Sequence, residues 1–154
     1  MLLERKKLLE LAKSGKYVFH GSGEDLKILE PRQAHSHKNG VSEKDEKPAV
    51  FASPSVDYAI LMAIINQKNC PNGYHARAEP ISGKEPGTYS LKFSASKKSL
   101  DQLTSESFGY VYVLEKSDFI HRRAGEYMIH NSVQPIERVI VKKEDLDGVV
   151  EVFG

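Results

Sequence analysis

The sequence predicts an α+β fold, and three observations predict it. Apolar residues recur at helical spacing mainly in the first half of the chain, over residues 2–12 and 59–65. The second half is a succession of short β-branched and aromatic runs whose connections are too short for parallel crossovers, which favours antiparallel pairing. No internal repeat divides the 154 residues, so 1–154 is read as a single domain, long enough to bury roughly two-thirds of its unfolded surface.

In order along the chain, Leu2, Leu3, Leu8, Leu9, Leu11 and Ala12 line one side of an amphipathic helix within residues 1–15, and Gly15 ends it in a left-handed turn. Residues 17–20 form a strand, and 24–29 allow one or two helical turns before Pro31. Residues 32–48 offer two histidines, an Asn-Gly and a charge run with almost nothing to bury, which reads as a mobile surface loop. Residues 49–52 are a short buried strand, and Ser53 before Pro54 caps a densely apolar helix. Residues 70–87 are Pro- and Gly-rich loop with room for a short strand over 74–78. Then come a half-buried strand over 88–93 and a short helix over 99–103. Strands are predicted over 110–114, 126–131 and 136–142, with a last edge strand over 149–153. The late block is expected to form one wall of a cleft and the strand at 17–20 the other.

Composition excludes several classes of function. Twenty-two Lys and Arg against twenty-one Asp and Glu give no global field for nucleic acid or an anionic membrane. One cysteine, Cys70, allows no internal disulfide and no thiolate zinc site, which points to a reducing compartment, the cytoplasm. No apolar run is long enough to cross a bilayer as a helix, and the charged start is unlike a signal peptide.

The stretch with most chemical content is Lys16-Tyr17-Val18-Phe19-His20-Gly21-Ser22-Gly23. A stiff apolar strand delivers an imidazole, a bare backbone and a hydroxyl to a bend, the way small-molecule sites are built. Other chemistries fit less well. His35, His37, His75 and Cys70 have metal-ligating side chains but sit in charged or irregular segments, so no metal is expected. Ser22 lacks a nucleophile elbow, Cys70 lacks an activating neighbour, and Gly21-Ser22-Gly23 is no phosphate loop. Glu126 by itself reads as a surface carboxylate paired with Arg122 or Arg123.

Three separated motifs together resemble the ADP-ribosyltransferase superfamily, closest to the group that includes diphtheria toxin and the poly(ADP-ribose) polymerases. They are Phe19-His20-Gly21-Ser22, then Val50-Phe51-Ala52-Ser53 with the following Tyr58-Ala59, and then the run from Gly125-Glu126-Tyr127 to Val133-Gln134. The resemblance spans residues 17 to about 141 and implies a split β-sandwich with NAD as substrate. It implies that His20 bonds the adenosine ribose, that the Gly21 backbone pairs with the nicotinamide amide, and that Ser22, Phe51, Ser53 and Tyr58 also line the NAD site. Glu126 would bond the nicotinamide ribose and stabilise positive charge as nicotinamide leaves. His20 and Glu126 are thus the candidate catalytic residues. The chain departs from the group at Val50 and Leu61, where the group has stacking tyrosines, and at Tyr58, where it has a nicotinamide-binding serine. The acceptor is left open between protein, nucleic acid and small molecule. Two alternatives stand beside this reading. One is an RNA 2′-phosphotransferase on the same fold, with Arg32, Arg77, Arg122 and Arg123 as phosphate ligands. The other is a non-catalytic module that binds ADP-ribose, a nucleotide or a protein.

Overall fold

The structure, a computed structural model, describes residues 3–32, 35–38, 41–44, 47–82, 89–123 and 125–154. It is mixed α+β. Helix α1 (Leu3–Ala12) buries Leu8 and ends at Gly15, whose φ of 71° is the left-handed turn expected there. Strand β1 (Tyr17–Ser22) pairs antiparallel with β7 (Phe108–Glu115), which pairs on its other side with β10 (Glu137–Lys142). A second sheet has the order β4 (Val50–Ala52), β9 (Glu126–Ile129), β8 (Ile120–Arg123). A third has β11 (Val150–Phe153) and β5 (Ala76–Ser82) flanking β6 (Tyr89–Ser96).

Helix α2 (Val56–Ile64) is the centre of the main core. It buries Val56, Ala59, Ile60, Leu61, Ala63 and Ile64, a nearly all-round apolar surface, because it is covered on several sides at once. Phe19, Val111, Val113, Val139 and Val141 meet it from the first sheet, Leu8 from α1, and Phe93 and Ala95 from β6. The opposite face of the first sheet carries a smaller core, in which Val18, Tyr112 and Leu114 pack with Leu29, Val50, Ala52, Phe119 and Val133. The first and second sheets are joined through one isolated bridge, where Phe19 and Ser53 exchange backbone hydrogen bonds of 2.7 and 2.9 Å.

Several expectations are corrected. Residues 24–29 form no helix, because their backbone groups are taken by distant partners. The Tyr112 hydroxyl accepts from the Leu26 N–H and donates to the Glu24 carbonyl, both at 2.6 Å, while Leu29 pairs with Val133. The 32–48 segment, read as loop, holds two antiparallel strands, β2 (His35–Lys38) and β3 (Val41–Lys44). Asn39 and Gly40, between them in sequence, lie outside the described residues. The α2 cap is Ser55, whose Oγ accepts from the Tyr58 N–H at 3.2 Å, and not Ser53, whose backbone is committed to Phe19. Strand β8 was not foreseen, since Ile-His-Arg-Arg carries no apolar alternation. One strand pair, β11 with β6, is parallel. The short helix expected over 99–103 is α3 (Lys97–Asp101), and two 3-10 turns that were not expected, Lys116–Asp118 and Lys143–Leu146, add to the helical structure of the second half. The late strands are not one wall: β7 and β10 share a sheet with β1, whereas β9 belongs with β4. No helix among the described residues is long and apolar enough to cross a membrane.

Candidate functional site around His20 and Glu126

Side-chain alternation along β1 sends Phe19 and Gly21 toward α2 and Val18 and His20 toward the smaller core. Backbone groups alternate too. Because both polar groups of Phe19 face Ser53, those of Gly21 are aimed at the same edge of β1, one step beyond the bridge. The imidazole of His20 is fixed by its Nδ1, 2.6 Å from the carbonyl oxygen of Phe51. A carbonyl can only accept, so Nδ1 carries the proton, and in the neutral ring Nε2 presents a lone pair. Burial holds the ring below its ordinary titration range; the Phe51 carbonyl opposes that shift, and the charge of Arg32 adds to it. The neutral tautomer at pH 7 is thereby set.

Glu126 reaches the same region through β4. The β4–β9 register sets Val50 opposite Ile129, Phe51 opposite Met128 and Ala52 opposite Tyr127. Its continuation brings Glu126 opposite Ser53, which is itself opposite Phe19. The β8–β9 connection turns at Gly125, with φ of 70°. Across it Arg122 Nη1 lies 2.9 Å from Glu126 Oε1, with only 18% and 24% of the two side chains exposed. The Arg122 guanidinium also stands 5.9 Å from the centre of the Phe51 ring. Tyr58, in the first turn of α2, has its hydroxyl pushed above the ordinary tyrosine range by burial first and by the negative charge of Glu126 second. An imidazole, a carboxylate, a phenol and a guanidinium from β1, β9, α2 and β8 thus share one neighbourhood.

The remaining expected residues have structural partners. Ser22 Oγ accepts from the Glu24 N–H at 3.1 Å, and Ser53 Oγ accepts from the Ser55 N–H at 3.0 Å. Val50 and Leu61 lie in the two cores, and Phe51, Tyr58 and Tyr112 bring aromatic rings near the site. Arg122, weighed from the sequence as a surface partner of Glu126 and as a phosphate ligand, is that partner, but the pair is largely buried. Arg32 pairs with Glu24 at 3.1 Å and lies close enough to His20 for its charge to act on the ring, whereas Arg77 stacks 4.2 Å from the Phe153 ring in the third sheet. The Arg123 side chain lies outside the described residues, as do those of His35 and His37. Cys70 is buried with Sγ 3.5 Å from the Ser99 carbonyl oxygen, and burial pushes its thiol up, away from nucleophilic chemistry. No group of three His, Cys, Asp or Glu among the described residues is arranged to hold a metal.

Two open concavities lie elsewhere: one of about 420 Å³ is lined by residues that include Lys16, Lys116, His121 and Tyr127, the other, of about 370 Å³, by α1 and β10. No family model, curated protein or solved structure matches the chain.

Proposed function

We propose that the protein is an NAD-dependent ADP-ribosyltransferase, or an NAD glycohydrolase when no acceptor is engaged, built on a split β-sandwich of that superfamily's type. One observation carries the reading: His20 and Glu126, 106 positions apart in sequence, lie on strands that both meet the segment 50–53, β1 through the Phe19–Ser53 bridge and β9 through its pairing with β4. The supporting chemistry is specific. The Nε2 lone pair of His20 accepts a hydrogen bond from a ribose hydroxyl, and the Gly21 N–H and C=O offer a donor and an acceptor for a carboxamide. As the ribose C1′–N bond of NAD breaks, its electron pair leaves with nicotinamide and positive charge grows on the sugar. A fixed carboxylate at Glu126 stabilises that charge far better than water would. The acceptor, or water, then bonds C1′ and loses its proton to base.

The experiment is incubation with NAD and measurement of free nicotinamide. Release that falls about 100-fold or more in Glu126→Gln supports the reading. Equal release by the variant, or none by the native chain, overturns it. The Arg122–Glu126 ion pair favours a second reading, a module that binds ADP-ribose or a nucleotide without turnover. Calorimetric binding of NAD or ADP-ribose without nicotinamide release is its mark, whereas removal of a 2′-phosphate from RNA would assign the chain to 2′-phosphotransfer instead.

A further inference from the structure

We propose that the outer face of the β1–β7–β10 sheet binds single-stranded nucleic acid, independently of what Glu126 does. Burial alternates strictly along β10: Val139 and Val141 enter the α2 core while Arg138, Ile140 and Lys142 are exposed. Along β7, Gly109 and Val111 face α2, and Phe108 and Tyr110 are half-buried on the other side. The smaller core covers this outer face only at its Tyr112 end. Beyond it, register places Ile140 beside Tyr110 and Lys142 beside Phe108, and Ile140 remains 42% exposed. Among the described residues, the result is a sheet surface carrying two adjacent aromatic rings, 5.7 Å apart, with an aliphatic floor.

The charges around the rings select the partner. Lys68 Nζ lies 3.9 Å from the centre of the Phe108 ring and 5.6 Å from that of Tyr110, Arg138 lies 5.0 Å from Tyr110 on the other side, and Lys142 is exposed at the far edge. Asp25 pairs with Arg138 and partly neutralises it, and Lys68 Nζ donates to the Gly23 carbonyl at 3.1 Å, which holds this charge beside the rings, so phosphate contacts fall to Lys142 and to the remaining N–H groups of Lys68. Aromatic rings rimmed by lysines are the surface on which unpaired bases stack while the backbone is neutralised. A protein partner would meet the same rings but would need carboxylates spaced at both lysines. A duplex keeps its bases stacked on one another and out of reach. The near-neutral chain as a whole has no such preference, which confines the attraction to this face.

The test is fluorescence anisotropy with a labelled mixed-sequence single-stranded oligonucleotide of about 12 residues, in about 50 mM salt and upward. Expected are saturable binding, weakening of about tenfold in Phe108→Leu and in Tyr110→Leu, and a salt slope reduced by about 0.7 in each of Lys68→Gln and Lys142→Gln. The lysine variants change exposed side chains and decide the matter should a ring variant fail to fold. Absence of binding at the lowest salt, lysine variants indistinguishable from the native chain, a duplex bound as tightly, or a mononucleotide competing as well as the oligomer would each overturn the proposal.

Discussion

The carbonyl oxygen of Ala59 lies 1.8 Å from the point where a side chain on Gly21 would place its first carbon. One turn along the helix, the carbonyl oxygen of Ala63 stands 1.9 Å from the same point on Gly109 of the neighbouring strand. Helix α2 therefore rests on the sheet main chain against main chain. Gly21→Ala and Gly109→Ala are each expected to cost about 3 kcal/mol, lowering Tm by about 6–12 °C in a chain of this size. Gly15→Ala, at positive φ but with nothing within 4 Å, should cost only about 1 kcal/mol. Differential scanning calorimetry of the three variants checks the order.

His20 makes stability depend on pH. Its folded-state pKa lies below the unfolded value near 6.5, so on acidification the unfolded chain takes up this proton before the folded one does. The contribution of neutral His20 is full above that pH and is lost as pH falls through the window below it, with a slope of at most about 1.4 kcal/mol per pH unit. Urea unfolding of the native chain and of His20→Gln between about pH 7 and pH 5 should show this component only in the native chain.

If the proposed activity is present, kinetics should separate the two catalytic candidates. A ribose-binding residue holds ground state and transition state alike, so His20→Ala should mainly raise KM. Glu126→Gln removes stabilisation made in the transition state and should mainly lower kcat. Initial rates across NAD concentrations distinguish the two patterns.

Tyr112→Phe should cost about 1–3 kcal/mol despite its conservative shape, because it leaves the Leu26 N–H and the Glu24 carbonyl without the hydroxyl that joins them. Hydrogen exchange at the Leu26 amide should rise with the loss.

Arg5 and Asp57 form a two-pronged pair, Nε to Oδ1 at 2.9 Å and Nη2 to Oδ2 at 3.0 Å, with 17% and 24% of their side chains exposed. The pair ties α1 to the first turn of α2. A double-mutant cycle with Arg5→Met and Asp57→Asn should return a coupling of about 1–2 kcal/mol.

Strands with apolar alternation or β-branched runs, such as β1, β4, β7 and β10, were legible in the sequence, as was α2 with its dense apolar surface. What escaped were elements set by partners far along the chain. The 24–29 segment has helical composition, yet Tyr112 and Val133 take its hydrogen bonds. Strands β2, β3 and β8 are polar and pair through backbone, which leaves no hydrophobic mark. At the site, His20, Phe51, Tyr58 and Glu126 were named from motifs; the structure fixes His20 on the Phe51 carbonyl and sets the charge of Glu126 against Tyr58. The burial of Arg122 beside Glu126 was not readable, since spacing in a strand hairpin becomes proximity only once the turn is known. Gly21 was read as a place for ligand approach; its Cα side is in addition the seat of α2, a demand no local pattern announces.

That seat has a consequence for how this fold can drift. Ordinary helix–sheet joints are cushioned by side chains, which absorb substitution by repacking. Here Gly21 and Ala59 meet with no such cushion, one position from His20 and one from Tyr58, so the spacing between imidazole and phenol is ruled by a hard stop. If the proposed NAD site is right, ligand preference in descendants of this chain would have to change through residues bordering that pair, while the pair itself stays in place.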